Sequence, residues 1–134
     1  MIRGLHAFAI AILVACLGLL NLPSAADAQQ PRRIGVPFAG SWTDEMVLAF
    51  RQGLRDAGFA EGPDVAIEWR HEGNYDRLPK LAADLVSSKV DVIVVSDTPS
   101  AQAAKRATTT VPIVMLYICD PVGSGLVTSL AHPV

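Results

Sequence analysis

The stretch Val90-Asp91-Val92-Ile93-Val94-Val95-Ser96-Asp97-Thr98-Pro99-Ser100 decides the fold. Val92 to Val95 is an unbroken β-branched run, and side chains stiff at χ1 pack well on a pleated strand. A strand that is apolar at every position has no solvent face. Both of its faces must be covered, as in parallel sheets. The polar residues that follow stop the strand and open a helix. Thr98 suits the N-cap, and Pro99 suits the first helical position, where its missing N–H costs nothing. The spacing predicts a helix to about Ala107. A doubly covered strand leading straight into a helix is one unit of a parallel α/β sheet.

The same pattern extends in both directions. Val111 to Ile118 reads as another apolar strand with Pro112 at its start, Cys119 to Gly125 as a loop, and Leu126 to Ala131 as the beginning of a further helix. Upstream, Leu78, Leu81, Ala82, Leu85 and Val86 share one face of a helix predicted from about Tyr75 to Ser88, with Pro79 in its first turn. Asp64 to Arg70 alternates Val65, Ile67 and Trp69 with Asp64, Glu68 and Arg70, the period of a half-buried strand near a sheet edge. Glu61-Gly62-Pro63 is a turn. Before it, Val47, Phe50, Leu54 and Ala57 form one helical stripe, capped by Ser41 or Thr43. Asp44 and Glu45 place negative charge in its first turn, where the helix dipole favours it. Gly58 suits the left-handed residue that ends it. Arg32 to Phe38, with Ile34, Val36 and Phe38 alternating, is the first strand. The order βαβαβαβ defines an α/β fold: a parallel sheet flanked by helices on both faces, joined by right-handed crossovers.

The chain has 134 residues, 11 Lys+Arg against 13 Asp+Glu, a formal charge of −2 and 51% hydrophobic residues. That content excludes a disordered chain, and the charge balance excludes a strongly basic nucleic-acid binder. Two cysteines exclude a disulfide scaffold. Some of the apolar content belongs to a leader. Arg3 supplies a positive start, Leu5 to Leu22 is nearly all apolar, and Ala26-Asp27-Ala28 is an A-x-A cleavage sequence. This order predicts a secretory signal over 1–28 and one exported, periplasmic domain over 29–134. A membrane anchor is the competing reading, at the short end for a span. Leu13-Val14-Ala15-Cys16 also has the form of a lipidation box at Cys16, although the apolar run continues past it. Beyond Ala28 the only thiol is Cys119. At the end of an apolar strand, it reads as a small buried hydrophobe sooner than as a nucleophile.

In open α/β sheets, ligands bind beyond the carboxyl ends of the strands. Four loops qualify: 39–43, 71–75, 97–100 and 119–124. Asp97-Thr98-Pro99-Ser100 can present helix-start amides to an anion such as a carboxylate, or it can serve only as a cap. Asp120 can receive a ligand ammonium or hydroxyl, or it can bind its own loop amides. Ser41 offers a hydroxyl. Trp42 offers an aromatic face, to a ligand or to the sheet edge. No G-x-G-x-x-G, Walker loop or G-x-S-x-G is present, so neither a nucleotide cofactor nor a hydrolase elbow is supported. His71 and His132 have no second ligand at zinc spacing, and His71 beside Glu72 reads as a surface strand end. No cofactor is expected. The one enzymatic alternative is a small exported Rossmann-like enzyme using Cys119.

Taken together, several segments form an ordered series: Pro31-Arg32-Arg33-Ile34-Gly35, Phe50-Arg51-Gln52-Gly53-Leu54-Arg55-Asp56-Ala57-Gly58-Phe59, Tyr75-Asp76-Arg77-Leu78-Pro79, Val90 to Val94, Thr98-Pro99, Pro112-Ile113-Val114 and Asp120-Pro121-Val122-Gly123. The series resembles the extracytoplasmic solute-binding proteins of ABC transporters, in the family with tryptophan- and tyrosine-binding members. The resemblance implies a periplasmic-binding-protein fold of two flavodoxin-like lobes around a ligand cleft. It also implies a small ligand, an amino acid, and delivery to an inner-membrane permease without chemistry. Carried over, Thr98, Pro99 and Ser100 would hold the ligand carboxylate beside Asp97, Asp120 would approach its amino group, and Ser41 and Trp42 would line the cleft. The family continues into a second lobe where this chain reaches Ala131-His132-Pro133-Val134. The expectation is therefore an incomplete first lobe, a truncated product that can lack independent function.

Overall fold

The computed structural model describes residues 30–129. The expected leader, Cys16 and His132 lie outside them. The elements are β1 (Arg32–Phe38), α1 (Asp44–Asp56), β2 (Val65–His71), a 3-10 turn (Tyr75–Arg77), α2 (Leu78–Ser87), β3 (Val92–Val95), α3 (Thr98–Ala107) and β4 (Ile113–Met115). The four strands form one parallel sheet in the order β2-β1-β3-β4. Ile34 of β1 lies opposite Ile67 of β2 on one side and Val92 of β3 on the other. The chain thus steps outward from β1 to β2, then crosses back to β3. That reversal marks the carboxyl ends of β1 and β3 as the switch point where open sheets of this kind bind ligands.

Alternation along the strands builds two cores. Ile34, Val36, Val65 and Val94 point to one face, where Phe50 and Leu54 of α1 cover them with Trp42 and Trp69. Ile93 and Val95 point to the other, against Leu85 of α2 and Ala101 and Ala104 of α3. Helices therefore lie on both faces, as the element order requires. Gly35 fixes how closely α2 approaches: a Cβ there would stand 2.9 Å from Leu85 Cδ2.

β1 runs over the predicted residues, β2 is the predicted edge strand, and β3 is buried on both faces. α1 is capped by Thr43, whose Oγ1 accepts the Met46 N–H at 3.3 Å. At its other end Gly58 adopts φ +88°, and the Gly58 and Phe59 N–H groups bond back to the Arg55 and Leu54 carbonyls. This is the paired closure that only a left-handed residue permits. Ala57, expected on the apolar stripe, is exposed because it already belongs to that turn.

Four expectations need correction. β4 is three residues long rather than eight, because Tyr117 at φ +56° takes the chain out of extended geometry. Cys119 is consequently exposed rather than a buried hydrophobe. α3 is capped by Asp97, not Thr98. Residues 126–129 are not helical. Their start is set by a turn in which the Leu126 and Val127 N–H groups both reach the Pro121 carbonyl, while Lys105 Nζ donates to the carbonyls of Gly125 at 2.7 Å and Leu126 at 3.1 Å.

Candidate functional site

The parallel order places four loops along one edge of the sheet: 72–74 after β2, 39–43 after β1, 96–97 after β3 and 116–120 after β4. β1 and β3 are neighbours at the centre, so the loop bearing Ser41 and Trp42 and the start of α3 lie at adjacent strand ends. Asp120 follows β4, one strand further out.

The start of α3 is the most constrained of these. Asp97 is extended at φ −143°, ψ 160°, and its Oδ1 accepts the Ser100 N–H at 2.7 Å. Its carbonyl accepts the Ala101 N–H at 3.0 Å. Pro99 has no N–H to offer. Of the first-turn amides, only that of Thr98 is left. Ser100 is 0% exposed, and its Oγ has no hydrogen-bond partner. A buried hydroxyl left unpaired carries a desolvation cost, of order 1–3 kcal/mol.

Trp42 sits in an aromatic cluster. Its ring centroid lies 5.0 Å from that of Trp69, 6.0 Å from Phe50 and 6.3 Å from Phe38, edge-on or tilted to each. Aromatic pairs prefer such geometries. The indole therefore packs where α1 meets β1 and β2, and its Nε1 is buried without a partner. Ser41, just before it, is exposed.

Asp120 binds its own loop. Its Oδ1 accepts the Gly123 N–H at 2.8 Å, and its carbonyl accepts both the N–H and the hydroxyl of Ser124, the latter at 2.6 Å. An added Cβ on Gly123 would stand against the Asp120 carboxylate and displace it from this position. Among the described residues no hydrogen bond joins Ser41, Asp97 and Asp120 to one another; the sheet brings them to one edge without linking them.

Two aromatic side chains at this edge carry a signal the sequence reading passed over. His71 stacks on Phe38 with ring centroids 4.7 Å apart and planes at 28°. The pair sits in direct register, and His71 continues the Val65-Ile67-Trp69 alternation, so period two would have placed it on the Phe38 face. Tyr75 is exposed, and its hydroxyl lies 3.2 Å from where a Cβ on Gly40 would stand. A cavity of about 550 Å³ opens elsewhere, beside α3 and β4, lined by Ala101, Lys105, Pro112, Ile113, Met115 and Leu126 among others. It contains none of the expected site residues.

A parallel sheet whose central strand ends carry polar loops and a helix start is the frame on which α/β ligand-binding lobes are built. Comparison with known proteins agrees. The family described as "ABC transporter substrate binding protein" matches residues 34–134, and the chain belongs to that family. A tyrosine-binding protein of Clostridioides difficile (strain R20291) is 38% identical over 116 residues, covering 84% of this chain and 34% of that protein. Two solved structures share the fold. One is the ligand-free, open form of a substrate-binding protein with adhesive properties from Clostridium difficile, with TM-score 0.68, 31% identity, and 74% of this chain on 35% of that one. The other is an ABC domain from Streptococcus pneumonia in complex with L-Trp, with TM-score 0.67, 30% identity, and 78% of this chain on 36% of that one. The chain spans about a third of the length of these relatives.

Proposed function

We propose that this chain contributes to the extracytoplasmic solute-binding component of an ABC import system, and that the solute is an amino acid captured without bond making or breaking. The observation that carries the reading is the strand order: the loops after β1 and β3 stand side by side at the carboxyl edge of a lobe shared with substrate-binding relatives. The relatives named for tyrosine binding and seen with L-Trp support the amino acid. On this reading residues 1–28 are an export signal, 29–134 form the N-terminal lobe, and an inner-membrane permease receives the solute. Among the described residues no helix is long and apolar enough to cross a membrane. Ser41, Asp97, Thr98, Pro99, Ser100 and Asp120 contribute one wall of the cleft, with Trp42 supporting it from behind.

The test is ligand-dependent stabilisation. A ligand at a hundred times its Kd raises folding stability by about 2.7 kcal/mol. Each of the twenty amino acids at millimolar concentration is added to the chain, and its melting is followed by circular dichroism. An upward shift with one or a few of them supports amino-acid capture. No shift with any of them, in this chain or in a full-length form that carries the second lobe, ends it.

A further inference from the structure

We propose that two copies of this chain pair edge to edge through β4, antiparallel about a two-fold axis at Val114, so that their sheets become one.

The backbone of β4 fixes which of its groups are free. The Ile93 N–H donates to the Pro112 carbonyl at 2.9 Å, and the Leu116 N–H donates to the Val95 carbonyl at 2.8 Å. In a ladder, alternate residues of one strand face the same neighbour. Pro112, Val114 and Leu116 therefore turn their backbone groups to β3. Ile113 and Met115 turn theirs outward, where no strand of the described residues pairs with them. An antiparallel two-fold pair consumes this set. Ile113 of one copy exchanges both its bonds with Met115 of the other, and the symmetry repeats the exchange. Val114 then stands opposite its own copy in the non-hydrogen-bonded position between, where facing side chains lie closest. Val114 is 45% exposed in the single chain, so the pairing covers apolar surface as well as backbone.

The charges favour a second copy as the occupant. Residues 107–119 contain no charged side chain, so two copies meet there without like-charge opposition. The other edge strand, β2, carries Glu68 and Arg70, and charge of this kind is what keeps natural edges apart. The antiparallel sense also brings ends of opposite sign together. Lys105 and Arg106 precede β4, and Asp120 follows it. Among the described residues neither Arg106 nor Asp120 forms an ion pair within the chain. In the pair, the basic end of each copy is turned towards the acidic end of the other. The two-fold consumes both outward residues of each strand, so association closes at the dimer.

The test reads the register directly. The full chain is prepared with C16S and C119S, which removes both of its thiols, and either V114C or L48C is added. Across the two-fold the Val114 Cα atoms would stand about 4.5 Å apart, within disulfide range. Leu48, 61% exposed on α1, is the control for random oxidation. Under mild oxidation V114C is expected to give a covalent dimer and L48C to stay monomeric. In sedimentation the unchanged chain is expected to show a monomer–dimer equilibrium, which V114K shifts to monomer. Cross-linking of V114C no greater than that of L48C overturns the inference. A monomer at every concentration, the result if other residues of the same chain cover β4, overturns it too, as does an open series of larger species.

Discussion

Gly35 and Leu85 form a contact that can be tested one atom at a time. Leu85 is fully buried in the core under β1 and β3, and Gly35 leaves it the room it occupies. G35A puts a methyl against the Leu85 side chain, and overpacking of this kind costs about 1–3 kcal/mol. L85A alone leaves a cavity and costs about 2–5 kcal/mol. In the double variant the added methyl enters the space the Leu has left. The two costs should then fall short of their sum when measured by urea denaturation. Strict additivity would show that α2 does not rest on β1 as described. Asp97 also belongs at this scale: its carboxylate takes the Ser100 amide and its carbonyl the Ala101 amide, so one residue closes the first turn of α3.

At the scale of elements, α1 illustrates what was legible. Its acidic first turn, its Gly58 terminus and its stripe as far as Leu54 were readable, and its cap was narrowed to Ser41 or Thr43, because each is a local preference with a local cause. Gly58→Ala should cost about 1–2 kcal/mol, the penalty of an L-residue in the left-handed region, and thermal denaturation would register it. β1 was readable for the same reason. The α3 cap was misplaced by one residue because Asp97 and Thr98 are both competent caps, and only the backbone dihedrals choose between them. β4 was overestimated because composition favoured a longer strand, and nothing local announces that Tyr117 leaves extended space. The site was legible as a set of loops, since the fold dictates which strand ends matter. It was not legible as a set of roles. That Asp120 binds its own turn, that Trp42 packs on Trp69, and that the Ser100 hydroxyl is left unpaired all follow from tertiary geometry.

For the whole molecule, the sheet edges matter. β1 and β3 are enclosed, while β2 and β4 each have a paired neighbour on one side only among the described residues. Val114, on the β4 face opposite α2 and α3, is 45% exposed, and Tyr117 just beyond is 77% exposed. An open edge beside apolar surface invites association, and natural edges suppress it with charge, Lys above all. The chain should therefore show concentration-dependent self-association in sedimentation experiments, and Val114→Lys should reduce it. An equally associating variant would place the sticky surface elsewhere.

Trp42 and Trp69 are the two tryptophans of the sequence, and their rings sit 5.0 Å apart in one cluster between α1 and the β1–β2 side of the sheet. Intrinsic emission from this protein therefore samples a single neighbourhood. It will report the detachment of α1 and will be nearly blind to events at α3 or β4. Two indoles this close and steeply inclined should also couple their electronic transitions and give a paired-sign band in the aromatic-to-far ultraviolet dichroism. Trp42→Phe would abolish that band while leaving the backbone spectrum in place. An unfolding curve traced by emission thus follows one side of the sheet, while one traced by backbone dichroism averages over the whole lobe. Whether they coincide tells directly if the lobe melts as one unit.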